Sequence, residues 1–190
     1  MPGVIRTRVG YAGGEKSSPT YTNLGKHTET IQIDYDPQKI SYRQLLEVFW
    51  QSHDPTVQSP STQYRSILFF HDDEQKQLAE ESRQAWQEST GQTIVTDFRE
   101  AGAFWRAEDY HQKYYLRRHD DLLRELAAVY PKADDFTDST VAARLNGFMG
   151  GNGTAEMLCE EIDGYGLSPQ GREKLLVYVT GVSEGCLEYD

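Results

Sequence analysis

Apolar and polar residues alternate through residues 4–13, VIRTRVGYAG, putting Ile5, Thr7, Val9 and Tyr11 on one face, and this two-residue period predicts a β-strand. Gly13-Gly14 and the loop EKSSPTYTNLG stop it. Alternation resumes in GKHTETIQIDYDP (25–37), where Glu29 shares a side with Ile31, Ile33 and Tyr35. A carboxylate on an apolar strand face is costly to bury, so Glu29 calls for a reason. The period then lengthens: Tyr42, Leu45, Leu46, Phe49 and Trp50 recur at helical spacing behind Ser41, which predicts an amphipathic helix with Ser41 as its N-cap.

Further along, QYRSILFF and TIVTDFRE read as strands on either side of a helix, EQKQLAEESRQAWQE, which an Asp of His71-Asp72-Asp73 caps. Trp105 to Tyr130 carries long helical character, ended by Pro131. Beyond it KADDFTDST reads as a polar linker, and short helical pieces follow, divided by GFMGGNG and DGYG. The last begins at Ser168-Pro169, with serine as cap and proline in the first turn. Strands alternating with helices predict an α/β (α+β) fold, a two-layer sandwich with a mixed sheet over residues 1–130, followed by a helical extension over 131–190.

Composition narrows the function classes. The chain has 190 residues and a formal net charge of −11, which on average repels a phosphate backbone or an anionic membrane surface. Nucleic-acid and membrane partners are therefore not expected. The two cysteines, Cys159 and Cys186, lack metal-type spacing and do not form a disulfide framework, in keeping with a reducing, cytoplasmic setting. Carboxylate–imidazole neighbours such as His27 with Glu29, His53-Asp54 and His119-Asp120 are expected by chance among 30 acidic residues and five histidines, so no metal site is assigned. GFMGGNGT lacks the lysine and Ser/Thr of a phosphate-binding loop and reads as a helix connection.

The blocks TRVGYAGG, PTYTNLGKHTETIQIDYDP, ISYRQLLEVFWQSHDPT, TQYRS and FWRAEDYHQKYY stand in an order and spacing that resemble A-type peptide methionine sulfoxide reductases over residues 2–116. The resemblance implies a ferredoxin-like core of that family's type, reduction of methionine S-sulfoxide free or in proteins, repair of oxidative damage, and no cofactor. Glu29 matches the family's catalytic carboxylate, although Lys26-His27-Thr28-Glu29 differs at two positions from the family's Gly-His-Ala-Glu block. Tyr21 and Tyr64 fall where the family places two phenols that hold the sulfoxide oxygen.

The residue types suit that chemistry. A thiolate attacking a sulfoxide sulfur makes the oxygen basic, so an acid and hydrogen-bond donors must stand where charge develops. A carboxyl keeps its proton near neutrality only if desolvation favours the neutral form, which would account for apolar neighbours.

Departures from the family pattern set further expectations. Its Gly-Cys-Phe-Trp stretch, which carries the cysteine or selenocysteine nucleophile, has no counterpart here. The chain as written is therefore expected to begin downstream of the first strand, nucleophile and first helix, to be inactive in turnover, and to have reduced solubility; an upstream selenocysteine codon is one origin, a wrong start or a shortened gene the others. TVQSPS before Tyr64 is short and lacks the family's aspartate. Cys186, in a polar terminus, is the better candidate for a resolving thiol, and thioredoxin or a glutathione system is the expected external reductant. A catalytically silent sulfoxide-binding or scaffold protein is the alternative.

Overall fold

A computed structural model describes residues 1–181, and its backbone divides into two compact units. One is built on Val9–Glu108; the other joins Gly3–Arg8 to the chain from Asp109 onward. The first strand, β1 (Val4–Ala12), runs through the division. This partition differs from a cut at residue 130, because Leu116, Leu122 and Leu126 are fully buried in the same cluster as the later helices.

In the Val9–Glu108 unit, β2 (Thr28–Tyr35) is followed by α1 (Tyr42–Gln51), β3 (Ile67–Phe70), α2 (Asp73–Thr90), β4 (Asp97–Glu100) and the short β5 (Trp105–Arg106). Ser41 closes a capping box with Gln44 at the start of α1, and Asp72 accepts from the Gln75 backbone N–H to start α2. Gly91 ends α2 in the left-handed conformation, where a residue with a Cβ would be strained. Parallel and antiparallel pairings both occur, divided between two sheets: one ordered β2-β1-β5, with β1 antiparallel to β5, and a parallel β3–β4 pair with Leu68 opposite Phe98.

The helical stripe of α1 does what its spacing predicts. Leu46 and Trp50 are buried with Leu68, Ala79 and Ile94, and the Trp50 indole N–H donates to Ser82 Oγ on α2 at 3.0 Å. Each such apolar side chain contributes roughly 1.5–3 kcal/mol on burial.

Two strands are shorter than their alternation suggests. Thr62–Tyr64 forms a 3-10 turn before β3. Residues 93–96 precede β4 without joining it: the Gln58 side chain takes Val95 O and both backbone groups of Ser66, so these segments are bonded by a side chain rather than by a ladder.

The second unit is helical: α3 (Asp120–Val129), α4 (Ala133–Asp138), α5 (Thr140–Met149), α6 (Ala155–Glu161) and α7 (Pro169–Thr180). Residues 105–119, expected to be helical, instead form β5 and 3-10 turns at Asp109–His111 and Leu116–Arg118. Lys113 lies between those turns at φ 55°, a conformation no α-helix contains, and its buried ammonium is spent on Thr7 O and Thr7 Oγ1. The supposed linker KADDFTDST is α4, because Phe136 is buried in the cluster with Leu145 and Leu158, under the Arg117 guanidinium. Ser168 and Pro169 start α7 as expected. No helix among the described residues is long and apolar enough to cross a membrane.

Candidate active site

Tyr21, Glu29 and Tyr64 come from three separate segments of the Val9–Glu108 unit. Glu29 projects from β2, Tyr64 from the 3-10 turn Thr62–Tyr64, and Tyr21 from a tight turn in which Thr20 and Asn23 exchange backbone hydrogen bonds at 2.9 and 3.3 Å.

The Tyr21 turn is fixed from both ends. His27 is buried; its Nδ1 accepts from the Gly14 N–H at 3.1 Å, which leaves Nε2–H to donate to Lys16 O at 2.8 Å. Gly14 suits this position because a Cβ there would stand 2.5 Å from the His27 backbone nitrogen. At the tip, the Tyr21 N–H donates to Glu108 Oε1 at 3.1 Å, and Glu108 Oε2 accepts from the Tyr11 hydroxyl at 2.6 Å. With both His27 nitrogens engaged by backbone, the imidazole is not a metal ligand, and no group of His, Cys, Asp or Glu among the described residues is arranged to hold a metal.

Gln63 joins the other two residues. Its side-chain nitrogen donates to Glu29 Oε1 at 2.6 Å and to the Tyr64 hydroxyl at 3.1 Å. The Tyr64 phenol titrates above the ordinary tyrosine value, first because it hydrogen-bonds with Tyr21, then through charge interaction with Tyr21, a little desolvation and the charge of Glu29; Gln63 acts in the opposite sense. Four polar side chains thus form one continuous cluster on the surface.

The surroundings of Glu29 are not those its alternation suggests. Glu29 is exposed and its face-mate Ile31 is 57% exposed, while Ile33 and Tyr35 further along are half-buried, so the Glu29 end of that face is uncovered among the described residues. Alternation identifies which side chains share a face; it does not supply a neighbour to lie on that face. The opposite side begins with Thr28, which is buried.

Gln63 and Glu108 are the residues bonded to the candidate site that pattern reading missed. Gln63 stands beside Tyr64 in TQYRS, where adjacency was the available signal. Glu108 lies 87 positions from Tyr21, and nothing local marks it. Cys159 sits on α6 and is disulfide-bonded, which corrects the reading that the cysteines support no disulfide; Cys186 lies outside the described residues.

The family model described as peptide methionine sulfoxide reductase matches residues 1–145. The chain belongs to the peptide methionine sulfoxide reductase family. A second family model, the helical domain of selenoprotein methionine sulfoxide reductase A, matches residues 133–176, the stretch that folds as α4 to α7. Among relatives, the peptide methionine sulfoxide reductase of Drosophila melanogaster is 42% identical over 179 residues, covering 93% of this chain and 72% of that protein. The A5 reductase of Arabidopsis thaliana is 43% identical over 152 residues, 77% of this chain; the match spans 59% of the plant protein's length. Reduced Mxr1 from Saccharomyces cerevisiae superposes with a TM-score of 0.57 at 31% identity, covering 63% of this chain and 74% of that one. These family members are oxidoreductases by name, and the mixed α/β architecture is shared with Mxr1.

Proposed function

We propose that the Tyr21–Glu29–Tyr64 cluster binds the S=O group of methionine S-sulfoxide, free or in a peptide, and that the protein takes part in its thiol-dependent reduction. The overall reaction consumes one sulfoxide and two thiols and yields methionine, a disulfide and water. A thiolate attacks the sulfoxide sulfur, a sulfur–sulfur bond begins to form, and the electron pair of the breaking S–O bond moves onto oxygen. Glu29 donates the proton that the oxygen then requires, while the Tyr21 and Tyr64 hydroxyls hold the oxygen by donating to it. Substrate seated over an exposed carboxyl excludes water from the transfer. Thioredoxin or another small dithiol, in a reducing compartment such as the cytoplasm, supplies the electrons that reset the oxidised thiol.

The observation that carries this reading is the shared reach of Gln63. One amide nitrogen ties Glu29 to Tyr64, and Tyr64 in turn meets Tyr21, so an acid and two phenols face one small patch. Equilibrium binding tests it without depending on turnover. N-acetylmethionine S-sulfoxide is expected to perturb the Tyr21 and Tyr64 ring signals in NMR and to bind more tightly than the R-epimer or N-acetylmethionine; equal binding of the three overturns the reading.

A further inference from the structure

The geometry points to Thr28 as a positioning residue, whose hydroxyl latches the turn carrying Tyr64 onto the strand carrying Glu29. Thr28 is only 1% exposed and directly precedes Glu29 on β2. Its Oγ1–H donates to the Thr62 carbonyl at 2.9 Å, and the same oxygen accepts from Arg65 Nε at 3.0 Å. Thr62 opens the 3-10 turn Thr62–Tyr64 and Arg65 is its C-cap, so a single hydroxyl grips it at both ends. The Arg65 guanidinium is itself steadied by Asp97 on β4, Nη1 to Oδ2 at 3.6 Å.

The latch matters because the turn is otherwise short of structure. Within it, Tyr64 N–H reaches back to Ser61 O at 3.2 Å, and residues 54–61 before it form no helix or strand. Gln63 and Tyr64 are exposed or half-buried, and apolar packing does not set their distance from Glu29. What sets it is the register between Thr28 and the turn: two consecutive strand residues face the two ends and the middle of one helical turn. Loss of the hydroxyl strands Thr62 O and Arg65 Nε beside an apolar group and lets the turn slide, which separates Gln63 from Glu29 and Tyr64 from Tyr21.

This inference rests on the proposed sulfoxide-binding role for its functional meaning, yet its geometry can be judged independently. The test compares the 190-residue chain with Thr28→Val, Thr28→Ser and, as a control on general stability, Leu46→Ala. Two readouts are taken: NMR titration of the Tyr64 ring, assigned with Tyr64→Phe, and binding of N-acetylmethionine S-sulfoxide. Thr28→Val is expected to bring the Tyr64 titration down toward that of an ordinary tyrosine and to weaken sulfoxide binding about 3- to 10-fold, the worth of one lost hydrogen bond. Thr28→Ser, which keeps the hydroxyl, restores both, and Leu46→Ala moves neither while lowering the unfolding midpoint. Should Thr28→Val fail to fold, Thr28→Ala removes the hydroxyl without adding a methyl and carries the same readouts. An unchanged Tyr64 titration in the hydroxyl-free variant overturns the latch. If wild-type protein fails to bind the sulfoxide while the Tyr64 titration still follows the hydroxyl, the proposed function falls and the latch stands.

Discussion

The Tyr11 hydroxyl donates to Glu108 Oε2 at 2.6 Å, joining residues 97 positions apart. Through its other oxygen Glu108 holds the Tyr21 backbone N–H, so a half-buried carboxylate carries the position of an exposed phenol. Glu108→Gln replaces one acceptor oxygen by an N–H donor, which cannot satisfy the Tyr21 N–H if it faces it. Stability measured in urea is expected to fall by about 1–3 kcal/mol, with the Tyr21 ring signals shifting and N-acetylmethionine S-sulfoxide binding weakening. Unmoved Tyr21 signals would show that the turn holds itself.

His27 supports the same turn from its base. His27→Ala removes the acceptor of the Gly14 N–H and the donor to Lys16 O, and leaves a void where a fully buried ring stood. A loss of about 2–4 kcal/mol in chemical denaturation is expected. Gly14→Ala attacks the contact from the other side: its new Cβ would press on the His27 backbone nitrogen and force a shift costing about 1–3 kcal/mol.

The helical unit contains an acid-sensitive tie. Glu161 at the end of α6 accepts from Arg144 Nε at 2.7 Å and from the Tyr165 hydroxyl at 2.6 Å. Desolvation pushes its carboxyl upward, yet the hydrogen bonds from Arg144 and Tyr165 and the Arg144 charge outweigh it and hold the group below the usual glutamate value. A depressed carboxylate contributes stability above its unfolded value, and that stability is lost as pH falls through the lower folded value. Wild-type protein should therefore exceed Glu161→Gln in unfolding free energy by about 1–3 kcal/mol at pH 7, and the gap should close as pH drops below about 4. A gap that persists at low pH would show that packing, and not charge, is responsible.

Phe136 tests whether α4 is a structural helix or an ornament on a linker. The ring is 7% exposed, packed into the cluster with Leu145 and Leu158 and faced by the Arg117 guanidinium at 5.2 Å from its centroid. Phe136→Ala is expected to cost about 3–5 kcal/mol, read as a drop in thermal midpoint of the helical unit. A change below about 0.5 kcal/mol, the ordinary surface value, would contradict its burial.

Much of this protein was legible in its sequence because the signals are local. The spacing of Leu46 and Trp50, the Ser41, Asp72 and Ser168 caps, and the alternation of β1 and β2 each follow from side chains within a turn or two of one another. The resemblance carried by the blocks around Tyr21, Glu29 and Tyr64 is likewise a matter of short stretches in order. Tertiary structure alone decided what depends on residues remote in the chain. It ended the helix expected after Trp105 by spending Lys113 on Thr7, made α4 by burying Phe136, left the apolar face beside Glu29 open, and recruited Gln63, Thr28 and Glu108 to hold the cluster. Backbone propensity and period are set by neighbours in sequence, whereas burial and side-chain hydrogen bonds are set by whatever the folded chain brings within a few ångströms.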